Sequence, residues 1–127
     1  MDKDFVRYFL PSGLLEHFTI TSIEEKDEES TKSKIIEIGL EEINQIPTGY
    51  DSSQYESKDF YPVKLIQDFP IRGKAVYLAI RRRRWRHKNN PNEIIHNDYS
   101  LIAEGSKITQ ELSDFLKGTG RDPRRYR

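Results

Sequence analysis

Along much of this chain apolar and polar residues alternate with a period of two, the pattern of strands with one buried face. Ile36, Ile38 and Leu40 alternate with Glu37, Gly39 and Glu41, which predicts a half-buried strand over 35–42. Thr19-Ile20-Thr21-Ser22-Ile23 is β-branched and predicts a second strand. The two would pair as a hairpin, with the charged, Ser/Thr-rich loop 24–33 at its tip. Tyr61–Phe69 and Ala75–Arg86 predict another hairpin, joined by the turn Pro70-Ile71-Arg72-Gly73-Lys74, where Pro and Gly supply the fixed and the permissive backbone. Asn89-Asn90-Pro91-Asn92 is a further turn, and Ile94 and Ile95 favour a short strand over Glu93–His96.

Helical spacing occurs at both ends. Phe5, Tyr8 and Phe9 share one face of a predicted helix over 2–10, with Asp2 and Asp4 at its N-terminus and Pro11 ending it. Ser12 is positioned to cap a short second helix containing Leu14, Leu15 and Phe18. Near the C-terminus Ile108, Leu112, Phe115 and Leu116 share a face. Ser106 or Thr109 can cap that helix, and Gly118 suits its end. The turn-rich stretch 47–58 reads as a connector. It separates an acidic part, 1–46, from a basic part, 59–118, and a basic tail over 119–127 is expected to be disordered. The fold class expected is α+β: short N-terminal helices, two β-hairpins making a small antiparallel sheet, and a C-terminal helix.

Charge sharpens this division. The net charge of the 127 residues is zero, yet residues 1–70 hold 15 Asp/Glu against 7 Lys/Arg, and residues 71–127 hold 14 Lys/Arg against 6 Asp/Glu. Residues 71–90 alone carry 8 cations and no carboxylate. Such asymmetry points to a polyanion-binding part beside an acidic one. Its focus is Arg81-Arg82-Arg83-Arg84-Trp85-Arg86-His87-Lys88, with six cations in eight residues directly after the apolar strand Val76–Ile80. Mutual repulsion makes this run costly unless an anion lies beside it. Phosphate fits, because neutralising it releases condensed counterions and because the planar guanidinium grips it at two points. The run continues through both strand parities, so the strand is expected to leave the core near Ile80 and project as a cationic finger. Trp85 is expected either to cover the core edge or to stack on a base or an arginine.

Other chemistry is poorly supported. The chain has no cysteine, which removes disulfides and cysteine-ligated zinc. His87 and His96 flank a turn with only Glu93 and Asp98 nearby, and His17 reads as surface or core edge, so no metal and no cofactor is expected. Gly118-Thr119-Gly120 is a fragment of a Gly-rich loop that follows a helix instead of a strand. No nucleophile with a base stands out, so the chain reads as non-enzymatic. No N-terminal apolar run suggests a signal peptide, and no stretch approaches the roughly 20 apolar residues of a membrane helix. A cytoplasmic location is the expectation.

Residues Ile66-Gln67-Asp68-Phe69-Pro70-Ile71-Arg72-Gly73-Lys74-Ala75-Val76-Tyr77-Leu78, then Arg81–Arg86, then Ala103–Leu112 form a pattern that resembles bacterial insertion-sequence transposases. It is similar to the N-terminal DNA-binding region of the ISL-three-like group. There a hairpin of this kind leads through a basic-aromatic strand and a zinc-ribbon knuckle into a helix, and a DDE catalytic domain follows. The start Asp4–Pro11 and the segment Ile36–Pro47 resemble the small N-terminal reading frame of the ISAon branch, in which the catalytic domain is encoded separately. The resemblance spans about residues 1–118, with the hairpin its most specific part. The family's zinc-ribbon cysteines fall near His87–Pro91 and are absent here, which implies a metal-free, ribbon-like sheet.

The resemblance implies a non-catalytic, nucleoid-associated subunit that binds duplex DNA at the terminal inverted repeats of a mobile element. It would present those ends to a DDE transposase, and a homodimer stays open. Arg72, Lys74, Arg81, Arg82, Arg83, Arg84, Trp85, Arg86 and Lys88 are the expected nucleic-acid contacts, joined by Lys107, Thr109 and Gln110 at the helix start. Two other classes fit the same residues. An RNA-binding or ribosome-associated module would stack Trp85 and Arg86 on unpaired bases. A protein-interaction subunit would use its acidic half on a basic partner, with the arginine run as an intramolecular counterweight.

Overall fold

A computed structural model describes residues 3–11, 13–28, 30, 33–99 and 108–121. It is α+β, as the pattern predicts. Helix α1 (Lys3–Val6) runs into a 3-10 turn (Arg7–Phe9), and a second 3-10 turn covers Leu14–Glu16. Seven strands follow: β1 (Phe18–Asp27), β2 (Lys34–Glu42), β3 (Tyr55–Phe60), β4 (Lys64–Ile71), β5 (Lys74–Arg81), β6 (Arg83–His87) and β7 (Asn90–Ile95). Helix α2 (Gln110–Arg121) closes the described chain.

Both expected hairpins form, β1 with β2 and β4 with β5. Three features lay outside the expectation. First, the strands make two sheets, a four-stranded one ordered β1-β2-β5-β4 and a three-stranded one ordered β3-β6-β7. Second, β2 and β5 pair in parallel, so strands from both sides of the 47–58 segment share one sheet. Third, β3 begins inside that segment, at Tyr55. Short-range alternation reports which face of a strand is buried but not which strand lies beside it, so the parallel pairing left no local trace.

The period-two pattern does fix the core of the larger sheet. Ile36, Ile38 and Leu40 on β2 face inward in register with Val76, Leu78 and Ile80 on β5, and Ile66 on β4 lies opposite Leu78. Phe18, Leu14 and Val6 close this core from the N-terminal side. Gly39 faces the β1 bulge between Ile20 and Ser22, where a Cβ would sit 2.4 Å from Ser22 Oγ and force that hydroxyl to turn away. A second, smaller core packs Tyr55, Trp85 and Ile95 with Ile46 against the three-stranded sheet.

The helices depart from their predicted faces. At the N-terminus Val6 is the buried residue, while Phe5, Tyr8 and Phe9 stay exposed and pack on one another. The helix is too short to present a long stripe, and Pro11 turns the chain so that Leu14 fills the core instead. The expected cap Ser12 lies outside the described residues, as do Ser106, Lys107 and 122–127. In α2, Leu112 and Ser113 are buried and Phe115 and Leu116 are exposed, with Phe115 against Phe69. The helix continues past Gly118 to Arg121, so 119–121 are helical and do not belong to an irregular tail.

Thr109 is the observed cap of α2, accepting from Leu112 N–H at 3.3 Å. It also ties the helix to the sheet. Its N–H donates to Gln67 O at 2.9 Å, and its hydroxyl donates to Asp68 Oδ1 at 2.9 Å. Asp68 is almost fully enclosed, and burial pushes its carboxyl above the ordinary carboxylate range despite the bond from Thr109. The folded chain therefore holds this proton more tightly than the unfolded chain. Stability from this group falls as pH rises from the ordinary value through the raised one. Asp68→Asn keeps the acceptor for Thr109 without the charge. It is expected to raise the melting temperature at neutral pH, and the gain should vanish in acid. A gain that persists at acid pH would contradict this.

The β4–β5 turn carries a second local cost. Arg72 has φ +53°, the only positive φ outside glycine among the described residues, and Gly73 follows at +79°. Two successive left-handed residues make this a two-residue hairpin turn that favours Asn-Gly. The left-handed conformation costs an L-residue such as Arg roughly 1–2 kcal/mol, and Asn less. Arg72→Asn should therefore stabilise the protein by up to about 1 kcal/mol in urea unfolding. Destabilisation would show that the Arg72 side chain supplies more than the turn costs.

Candidate nucleic-acid interface

The arginine run does not project from the protein. At Arg82 the chain passes from β5 in the larger sheet to β6 at the centre of the smaller one. The expected departure from the core near Ile80 is a transfer between sheets, and the run lies flat across the junction. Five arginines can lie there because carboxylates and two aromatic rings are brought to them by other strands.

Alternation on β6 sorts the side chains. Trp85 turns inward, fully enclosed, and its indole N–H donates to Asn44 Oδ1 at 2.8 Å. It is thus a core residue, and the base-stacking role is closed to it in the folded chain. Arg83 is also held inward. Its backbone N–H donates to Glu42 Oε1 at 2.9 Å, its Nε to Glu42 O at 2.7 Å and its Nη1 to Ser57 Oγ at 3.0 Å. Arg82 donates through Nη2 to Asn97 O at 2.5 Å and lies 3.3 Å from Asp98 Oδ1.

Arg84 and Arg86 face outward, each opposite a carboxylate on β3. Arg84 meets Asp59 in a two-point contact, Nε and Nη2 each 2.6 Å from a carboxylate oxygen. Arg86 Nη2 lies 3.2 Å from Glu56 Oε1. These are direct cross-strand partners, Asp59 with Arg84 and Glu56 with Arg86. Arg81, at the end of β5, is 3.5 Å from Glu41 across the parallel ladder. Phe60 takes two guanidiniums against its ring, Arg81 at 4.4 Å and Arg83 at 4.7 Å from its centroid. Tyr61 does the same for Arg82 and Arg84, at 5.7 and 5.1 Å. Each contact is within the range in which a cation is drawn to a ring face.

The remaining expected contact residues are dispersed. Arg72 and Lys74 sit at the opposite end of β5 from Arg81, roughly 25 Å away at strand rise. Lys74 is 3.3 Å from Glu25 there. Lys88 is exposed at the β6–β7 turn, next to the run. Thr109 is buried and committed to Asp68 and Leu112, and Gln110 donates to Asp114. Lys107 lies outside the described residues.

Sequence reasoning missed the residue at the centre of the junction. Glu42 is almost fully buried and receives Arg83 N–H, Asn97 Nδ2 at 3.1 Å and the Tyr99 hydroxyl. Burial and this carboxylate push the Tyr99 hydroxyl well above its usual range. A signal existed: Glu42 continues the inward parity of Ile36, Ile38 and Leu40. In the smaller sheet the Tyr55 hydroxyl donates to Glu93, and that bond pushes its pKa up to about 12. Among the described residues no cluster of three His, Cys, Asp or Glu side chains could hold a metal ion, and no helix is long and apolar enough to cross a membrane.

Comparison with protein-family models, curated proteins and solved structures gives no match.

Buried and exposed carboxylates of this junction should differ sharply in worth. Glu42→Ala strands several buried donors and is expected to cost about 3 kcal/mol or more. Glu56→Ala, at an exposed pair, should cost less than about 1 kcal/mol. Chemical unfolding of the two variants checks this, and equal losses would contradict the assignment of Glu42 as the structural centre.

Proposed function

We propose that this chain is a non-catalytic DNA-binding subunit that recognises the terminal inverted repeats of a mobile element and presents them to a separately encoded DDE transposase. On this reading it works in the cytoplasm at the nucleoid. The observation that carries the proposal is the outward pair Arg84 and Arg86 on β6, with exposed Lys88 next to it. The side chains of Arg84 and Arg86 reach the surface, and their present partners, Asp59 and Glu56, are themselves exposed by nearly half. The single-point Arg86–Glu56 pair is weak, on the order of 0–1 kcal/mol, and the two-point Arg84–Asp59 pair still opens to solvent, so a phosphate can compete with either carboxylate. The guanidinium geometry that holds Asp59 at two points suits a phosphate equally well. The resemblance of residues 66–117 to the transposase DNA-binding region supports the same reading. Arg83, tied to the buried Glu42, would hold the strand in place from behind.

A second reading has its own observation. Every arginine from Arg81 to Arg84, and Arg86, has a carboxylate within 4.0 Å. The run would then be an internal counterweight, and the chain an adaptor between proteins. The RNA reading is weaker, because its stacking residue Trp85 is enclosed.

Fluorescence anisotropy on duplex DNA across a salt series separates these readings. The DNA-binding reading expects affinity that falls steeply with salt. It also expects Arg84→Ala with Arg86→Ala to weaken binding, since two phosphate contacts go and two carboxylates are uncovered, while Trp85 fluorescence still reports a folded core. No binding at low salt by the folded wild type would overturn it in favour of the adaptor.

A further inference from the structure

We infer that Asp59 and Glu56 are specificity-determining residues. They compete within the molecule against DNA phosphate for Arg84 and Arg86, and so hold back the protein's affinity for arbitrary duplex. This rests on the DNA-binding reading above and deepens it.

The geometry sets these two carboxylates apart from the other acidic residues. Both are on β3, the edge strand beside β6, and both stand directly across the ladder from the arginine they hold. The β3–β6 register shifts between Ser57 and Asp59, so two residues separate Glu56 from Asp59 while Arg84 and Arg86 are separated by one. That irregularity is what lets each carboxylate meet its own arginine. The two-point contact of Asp59 with Arg84 occupies the same donors, Nε and Nη2, that a phosphate would use. Neither carboxylate is needed to neutralise a buried charge, because both members of each pair reach solvent. Glu42 and Asp68, in contrast, are enclosed and serve the fold.

Any duplex must therefore displace a carboxylate for each outward arginine it takes, and the uncovered carboxylate then faces the phosphates. A duplex that offers only backbone gains little from the exchange. One that makes further contacts along β6, or with Lys88, gains enough to complete it. Discrimination arises from a penalty against the wrong partner as much as from attraction to the right one. Salt weakens both competing pairs, so it should reduce the net affinity less steeply than free arginines would require.

The test uses the full chain and a short mixed-sequence duplex, read by anisotropy across a salt series. Glu56→Gln with Asp59→Asn is compared with wild type, with the charge-conserving pair Glu56→Asp and Asp59→Glu, and with Glu24→Gln plus Glu28→Gln. The last pair makes the same charge change on the β1–β2 hairpin. The proposal expects the amide variant to bind at least about tenfold more tightly at low salt, with a salt slope steeper by up to roughly two. The charge-conserving variant should stay near wild type, and the hairpin variant should gain much less. Each sample is first shown to be folded by Trp85 fluorescence and thermal unfolding. Wild-type binding that the amide variant leaves unchanged overturns the competition and leaves the DNA-binding reading standing. An equal gain in the hairpin variant overturns it too, by reducing the effect to net charge. Absence of binding by every variant at low salt overturns both.

Discussion

Five guanidiniums within six positions repel one another, and the fold is organised around matching them. Cross-strand pairing to carboxylates supplies most of that match. Glu41 reaches the run through the parallel β2–β5 ladder, and Glu56 and Asp59 reach it through the antiparallel β3–β6 ladder. The acidic first half of the chain and the basic second half thus meet strand against strand. The parallel pairing of β2 with β5 is what brings Glu41 and Glu42 to the end of β5, where the run begins.

Two classes of contact then follow from burial alone. Glu42, Arg83, Asn97 and Tyr99 form an enclosed polar junction, and removing one partner would leave the others unsatisfied in a poorly solvated place. Arg84 with Asp59 and Arg86 with Glu56 reach the surface, where water, salt and other anions compete for each partner. One run of sequence therefore serves two purposes. Its inward side chains, with Trp85, join the sheets, and its outward ones remain available to a polyanion.

Much of this was legible in the chain. Alternation placed Ile36, Ile38, Leu40, Val76, Leu78 and Ile80 in the core, and Pro and Gly marked the hairpin turn, which is narrower than 70–74: only Arg72 and Gly73 form it, and Pro70, Ile71 and Lys74 belong to the flanking strands. The same alternation, carried one step further on β2, assigns Glu42 to the inside, whereas Trp85 has the opposite parity to Val76, Leu78 and Ile80 and is buried because the chain changes sheets at Arg82. What alternation cannot report is lateral order: nothing local pairs β2 with β5, or seats β3 beside β6. The carboxylates that neutralise the run are distant in sequence, so a count of cations between 71 and 90 made it look unbalanced. The expectation of a projecting finger failed for that reason. The aromatic helix faces failed for another, since Pro11 and the shortness of α1 let Val6 and Leu14 take the core in place of Phe5, Tyr8 and Phe9.

A DNA-binding role therefore depends on arginines already paired in the free protein, and on which of them let go. Side-chain Nε–Hε NMR signals of the arginines, followed with the Trp85 indole signal during titration with duplex DNA, test this most directly. The signals of Arg84 and Arg86 are expected to shift progressively, while those of Arg83 and of the Trp85 indole stay in place. Shifts confined to Arg83 and Trp85, or no arginine shift at saturating duplex in low salt, would contradict the division of the run into a structural inner face and a phosphate-exchanging outer one.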